Sequence, residues 1–481
     1  MVPPVLMACV ALWSISGASL WRDEASTLSA IRRPLPQLWH MLGHTDAVHG
    51  LYYLLMWPVA RVLGTTAADV RLPSAIAVSA AALGVAGLGR RLVSPRAGLL
   101  AGLMFVLLPV TSRYGQEARS YAMVMALAVL ASYLLVRADT AQRPGRWLGW
   151  YALVVTVMGW ANLMSLLLVP AHAITRLWNA RAASARASPV QPAARRWAGW
   201  LIAVSAAGVL VSPIVVLAWH QQHGTARFLH LTNWGAVASV PNGLIGSWPV
   251  LAVVIPLVAA GIWPAGRGHG TLTRLALPWL ALPTPVLLAA GLFTPVFTTR
   301  YVLFCVPAVA LLAGSGLDRL ITRIAERPAA AASPARRWNV IAAAAIMVIA
   351  AAGLPAQLAY RAPAGHLDNF RLIAQTLAAS ERPGDAVIYD PPYWRQISAA
   401  YPAPFAHLRD IALARTPDQE DDFTGTQVSA VQLITRLSTI HRTWVIAIDP
   451  YQGYSPLQSH GWHVSSRWLI SDFTLILYTR S

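Results

Sequence analysis

The chain has 481 residues, is 56% hydrophobic and only 12% charged, and has a mean hydropathy of +0.51. An average globular domain carries about 25% charged residues, which excludes a single soluble core of this size and makes the chain a polytopic membrane protein. The net charge of +18 comes from 37 arginines, with no lysine, set against 19 acidic residues. Arginine in this role flanks membrane helices and sets their topology. Nothing in the chain reads as the folded basic module with aromatic readers that nucleic-acid binding needs. Cys9 and Cys305 both lie in apolar runs, so neither a disulfide framework nor a CxxC metal site is expected.

The first apolar run, 3–20, lacks the basic start of a secretion signal and is expected to stay as a helix. A crossing helix needs roughly 20 apolar residues. Further spans are expected at 72–90, 97–113, 119–136, 147–161, 163–177, 197–219, 245–263, 275–293, 301–317 and 338–358, about eleven in all. Five loops carry arginine: Arg90, Arg91 and Arg96; Arg137, Arg143 and Arg146; Arg176 to Arg196; Arg267 and Arg274; Arg319 to Arg337. With all five in the cytoplasm, 21–71, 114–118, the turn near 162, 220–244, 294–300 and everything after 359 lie outside. Residues 50–63 are too short to cross and contain Pro58 and Arg61, so they are expected to form an interfacial helix; so are 35–43, with Leu38, Trp39, Met41 and Leu42. The Ala/Arg/Ser/Pro-rich stretch 178–196, and likewise 325–337, reads as a disordered cytoplasmic linker.

Past 359 the pattern changes. Phe370, Ile373 and Leu377 mark a helix over 368–380, and 385–390, 443–449, 462–470 and 473–479 read as strands, the last two as a hairpin across Ser471-Asp472. The expected organisation is a transmembrane domain, 1–358, whose outer loop 21–71 carries interfacial helices, followed by a small extracytoplasmic α/β domain, 359–481. No internal repeat of the kind many transporters show is visible.

Acidic residues are scarce, 14 Asp and 5 Glu, so the adjacent pair Asp23-Glu24 beside the first apolar run stands out. A carboxylate within hydrogen-bond reach of an attacking hydroxyl is a general base, although interfacial solvation also accounts for such a pair. Asp46 and His49 suit a metal or phosphate contact, or alternatively a helix cap and a surface histidine. Gln116, Glu117 and Arg119, within Tyr114-Gly-Gln-Glu-Ala-Arg-Ser-Tyr121, open a span on the same expected side as Asp23, where the helix dipole alone would favour a carboxylate. Arg300 and Tyr301, after Thr298-Thr299, suit a phosphate, or an interfacial anchor. Arg227, His230 and Asn162 are weaker candidates. Asp23, Glu24, Asp46 and Glu117 supply the oxygen ligands of a divalent cation, and whether one is needed is left open.

These motifs in this order, with Asp46-x-x-His49 ahead of Leu51-Tyr-Tyr53, Arg71-Leu-Pro-Ser74 and Thr299-Arg-Tyr301, resemble the family 39-like branch of the GT-C glycosyltransferases, whose members include protein O-mannosyltransferases and the aminoarabinose transferase of lipid A. The resemblance covers about residues 10–320. It implies a polyprenyl-phosphate-linked sugar donor used at the extracytoplasmic face of the cell membrane, with inversion. By position it implies Asp23 as the base with Glu24 beside it, His49 near the donor phosphate, Glu117 as the second acidic site, and Arg300 and Tyr301 on phosphate or sugar; Tyr52, Gln116 and Arg119 complete the expected substrate-binding set. His49-Gly-Leu51 departs from the His-Pro-Pro-Leu common in that branch, and Asn162 stands where a histidine is frequent. The acceptor is left open among lipid, glycan and protein, and mannose rests only on the naming of such relatives. The alternatives are a flippase or transporter for a lipid-linked sugar, or a non-catalytic envelope-assembly subunit.

Overall fold

A computed structural model describes residues 1–184, 193–225, 231–263, 269–326, 333–451 and 453–480. The candidates Arg227 and His230, and much of the two expected linkers, lie outside the described residues. The chain divides into two compact units: a helical unit of Met1–Trp13, Val48–Tyr52 and Arg71–Leu358, and a mixed unit of Ser14–Ala47, Tyr53–Val70 and Ala359–Ser481.

The helical unit is that of a multi-pass membrane protein. Among the described residues six helices are long and apolar enough to cross a membrane, and eight if each of two bent pairs counts as one span. The bent pairs are Pro95–Leu107 with Pro109–Gly115, at 65°, and Trp234–Ile245 with Trp248–Ile262, at 84°. The other three expected spans are helical but shorter: Val2–Leu12, Gly145–Ala161 and Leu168–Ser184. The first of them stops at Leu12 rather than reaching 20, because Ser14 adopts a left-handed conformation (φ +53°) and the Ser/Gly run 14–19 offers little helix propensity.

Position within this unit follows residue size as much as hydrophobicity. Of the 18-residue apolar stretch within Thr299–Ala325, 94% is buried, against 22% and 17% of the corresponding stretches in Trp197–Gln221 and Pro334–Arg361. The buried span carries small residues where neighbours cross it. A side-chain carbon on Gly316 would overlap the Leu257 carbonyl of Trp248–Ile262, and one on Gly314 would overlap the Ala101 backbone of Pro95–Leu107. Such close backbone approach holds membrane helices together where hydrophobicity cannot discriminate between protein and lipid. The two little-buried helices present bulky apolar faces, among them Ile202, Val209, Met347 and Val348, that suit lipid.

Arginine-bearing loops meet at one end of the helical unit. Arg91 donates to Thr140 Oγ1 (2.9 Å), Arg176 pairs with Asp139 (2.6 Å), Arg274 donates to Asn179 Oδ1 (2.6 Å) and Arg319 donates to the carbonyls of Ala260 (2.9 Å) and Trp263. Arg96 lies 5.0 Å over Trp338, and Arg137 lies 4.4 Å over Trp147. These contacts join all five arginine groups.

The mixed unit centres on a five-stranded sheet ordered β2-β1-β5-β7-β6, with β1 Ala386–Asp390, β2 Arg409–Asp410, β5 Arg442–Ile448, β6 His463–Ile470 and β7 Phe473–Thr479; a ribbon of β3 Leu413–Arg415 and β4 Thr426–Gln427 stands apart. β1 runs parallel to β2 and β5, while β7 is antiparallel to β5 and forms the terminal hairpin with β6. The four longer strands match the strands expected from the sequence, and the expected helix is Phe370–Ser380. Strands β2, β3 and β4 are two or three residues long, too short to show a periodicity.

Helices Arg22–Ile31, Leu35–His44 and most of Gly50–Val62 also belong to the mixed unit. The last two were expected from sequence, and the first was not. Arg371 fastens the approach to it, donating to the carbonyls of Ser16 (2.7 Å), Gly17 (3.1 Å) and Ala18 (3.1 Å). The Leu20 amide donates to the Tyr401 hydroxyl at 3.0 Å.

Candidate active site

The acidic site of the helical unit lies in the turn between Pro109–Gly115 and Tyr121–Thr140. Gln116 Nε2 donates to the carbonyls of Ala11 and Trp13, each at 2.8 Å, and ties the turn to the end of the first helix. Ser120 Oγ donates to the Ala161 carbonyl at 3.0 Å, and Ser74 Oγ to that of Arg119 at 3.4 Å. Glu117 at the centre is 0% exposed, and Arg113, one helical turn earlier, donates to its carboxylate. A lone buried carboxylate costs several kcal/mol, and a cation four residues away on the same side is the local way to offset it. Arg113 also lies 5.1 Å over the Tyr114 ring, and Tyr114 meets Tyr121 edge-on at 5.3 Å. Arg71 and Arg119 are buried as well.

Arg300 and Tyr301 stand half-buried on a short 3-10 helix, Thr299–Cys305. It packs against Tyr121–Thr140, the turn Leu163–Leu167 and Trp234–Ile245. That places the Arg300 segment at the Glu117 end of the unit, while Tyr121–Thr140 runs about 30 Å to Thr140 at the arginine end. Asn162 caps the turn, its side chain accepting from the Met164 amide at 3.0 Å. His49 is half-buried in the turn Ala47–His49, and the buried Tyr52 follows in Gly50–Val62.

In the mixed unit, Asp23 and Glu24 occupy the first turn of helix Arg22–Ile31 rather than the end of the first apolar helix. Asp23 is 6% exposed and Glu24 fully buried. The helix start is set by Arg22, whose guanidinium makes two bonds to Asp368, Nε to Oδ2 at 2.9 Å and Nη2 to Oδ1 at 2.7 Å, while its amide donates to the same carboxylate at 3.0 Å. Burial alone would lower the Arg22 pKa; the bonds and charge of Asp368, with Asp23 nearby, outweigh it and hold it above its ordinary value. Further along, Ser26 donates to Gln396 and Arg32 to the Ala399 carbonyl, docking the helix on Gln396–Ala400. Asp46 has a left-handed backbone (φ +57°), and its carboxylate accepts from the Tyr53 hydroxyl at 2.6 Å.

Sequence reasoning missed Arg113, Arg71 and the Arg22–Asp368 clamp. Arg113 carried a signal, its spacing of four from Glu117. Arg71 carried none beyond its place in Arg-Leu-Pro-Ser. Asp368 lies 346 residues from Arg22, which local pattern cannot bridge.

A family model described as dolichyl-phosphate-mannose-protein mannosyltransferase matches residues 50–219. No curated protein matches the chain by sequence. The fold is similar to the crystal structure of ArnT from Cupriavidus metallidurans in the apo state, with a TM-score of 0.62 and 13% identity over 98% of this chain and 96% of that one. The structure of ArnT from the same organism bound to undecaprenyl phosphate gives 0.60 and 12% over 99% and 97%. Mycobacterial arabinofuranosyltransferase AftD gives 0.53 and 15%, over 99% of this chain but 39% of that one. The architecture is therefore the fold of these membrane glycosyltransferase structures, and the stretch 50–219 is similar in sequence to the mannosyltransferase family model.

Proposed function

We propose that the protein transfers a sugar from a polyprenyl-phosphate-linked donor to an acceptor hydroxyl, with inversion, at the extracytoplasmic face. The observation that carries this is the fold likeness, over 99% of the chain, to a structure that holds undecaprenyl phosphate. The collected arginines support the side, because a basic end stays in the cytoplasm and the Glu117 and Arg300 end then faces out. A polyprenyl phosphate leaves as an anion and needs charge stabilisation more than a proton. Arg300 supplies it, with His49 as a second donor, and Tyr301 and Tyr52 line the donor site. Asp23 takes the acceptor proton from the face opposite the leaving group, which inverts the anomeric carbon, with Glu24 beside it. Gln116, Glu117 and Arg119 form the second substrate-binding group. Mannose is the first sugar to try, because the matching family model is named for it.

The test is transfer from radiolabelled polyprenyl-phosphate mannose, and then other sugars, in membranes expressing wild type, Asp23→Asn or Arg300→Ala. Wild type moves label to an acceptor, which the product identifies. Asp23→Asn lowers the rate by about a hundredfold to ten-thousandfold, the range of a general base. A fully active Asp23→Asn removes the base assignment, and a wild type that consumes no polyprenyl sugar removes the transferase.

A further inference from the structure

Helix Leu35–His44 presents His40 and His44 four residues apart, on one face. Asp421 sits against them, and its Oδ2 lies 2.7 Å from His40 Nδ1. One nitrogen from each imidazole and one oxygen of this carboxylate lie within 4.8 Å of one another. All three residues belong to the mixed unit. None of the three is among Asp23, Glu24, Asp46 and Glu117, the oxygen ligands considered above.

We propose that His40, His44 and Asp421 bind a divalent transition-metal cation of the zinc class, which clips the loop 416–422 to helix Leu35–His44. Two imidazoles and a carboxylate are a nitrogen and oxygen set that suits zinc and its neighbours, and poorly suits magnesium or calcium.

The surroundings are arranged for it. His44 Nδ1 lies 3.0 Å from the His40 carbonyl, so with its proton on that nitrogen the ring turns Nε2 outward as a ligand; metal-binding histidines are commonly oriented in this way. The loop that delivers Asp421 is held without help from that side chain. Thr416 and Gln419 form a reciprocal cap, and Asp422 accepts from the amides of Thr424 (2.9 Å) and Gly425 (2.7 Å). The loop is also fixed to the helix and the residues before it: Gln37 Nε2 donates to the Asp418 carbonyl at 2.9 Å, and Arg33 pairs with Asp418 at 3.3 Å. Asp421 itself has a left-handed backbone (φ +53°), an uncommon conformation that turns its carboxylate to the helix. Zinc bonds of about 2.0–2.1 Å at tetrahedral angles put ligand atoms roughly 3.3 Å apart. The two imidazoles are exposed and close the remaining distance by side-chain rotation. Water completes the coordination.

This inference stands apart from the transferase proposal, and its test needs no substrate. The full-length protein, carrying a purification tag free of histidine and stripped with chelator, is titrated with zinc against a chromophoric competitor, and its melting temperature is followed with and without zinc. Wild type binds one equivalent and melts higher with zinc. The double variant His40→Ala/His44→Ala loses that equivalent and the zinc-dependent shift while keeping its metal-free melting temperature. Asp421→Asn weakens binding by about tenfold or more. His460→Ala, an exposed histidine elsewhere in the mixed unit, changes neither. Equal zinc affinity in wild type and the double variant overturns the site, as does binding spread over several weak equivalents. A zinc-dependent shift that survives in the double variant overturns the clip.

Discussion

The two ends of the helical unit handle charge in opposite ways. At one end arginines outnumber acids among the described residues, and several are met by uncharged groups: Arg319 by carbonyls, Arg274 by an amide oxygen, Arg96 and Arg137 by tryptophan faces. Arg96 remains open to solvent, and Arg137 and Arg274 are half-buried. At the other end a single carboxylate, Glu117, is shut away with Arg113, in a turn pinned by Gln116. The first arrangement orients a chain in a bilayer. The second is expensive to build, and a membrane protein keeps such a group where it has a use.

That difference is broken most sharply at the buried end. Glu117→Gln removes the charge facing Arg113 and costs about 3–5 kcal/mol, read as a large drop in melting temperature in detergent. Replacing both members, Arg113→Met with Glu117→Leu, restores much of that stability while leaving transfer activity lost, which separates the fold's need for the pair from the chemistry's. Next in size is the crossing between the two ends: Gly316→Ala forces a methyl into the Leu257 carbonyl and costs about 1–3 kcal/mol by the same measurement. Smaller is Tyr151→Phe, which deletes one of the two buried bonds to His172 (3.0 Å from the Tyr151 hydroxyl, with Ser132 on the other nitrogen) and costs about 1 kcal/mol. Smallest is Arg137→Ala at the arginine end, expected to shift stability by no more than about 1 kcal/mol, the value of a cation over an aromatic ring that keeps part of its hydration. A drop at Arg137 as large as that at Glu117 would erase the distinction between the ends.

A similar contrast separates what was legible in the chain from what was not. The long apolar helices announce themselves by composition, because lipid demands a run of apolar residues whatever the neighbours are. The strands β1, β5 and β7 announce themselves too, since burial on both faces makes them continuous apolar runs, whereas β6, at the sheet edge, is mostly exposed. Helix Arg22–Ile31 did not. Its mixed sequence, Arg-Asp-Glu-Ala-Ser-Thr-Leu-Ser-Ala-Ile, has no strong periodicity, and it is helical because Asp368 anchors its start and Gln396–Ala400 packs along it. Glu117 was legible as a candidate because glutamate is rare here, but its partner Arg113 was hidden inside the preceding apolar run.

The sequence by itself determined that this is a multi-pass helical membrane protein with a small sheet-bearing portion, and it named the scarce acids and the Arg300 segment as the places to look. Both follow from properties a residue carries alone, its transfer free energy and its charge. Only the tertiary structure decided which helix lies at the centre, which contacts join the five arginine groups, that Asp23 and Glu24 begin a helix of their own, and that His40 and His44 face Asp421. Each of these depends on pairs of residues tens to hundreds of positions apart, whose meeting is set by packing and hydrogen bonds that no local pattern records.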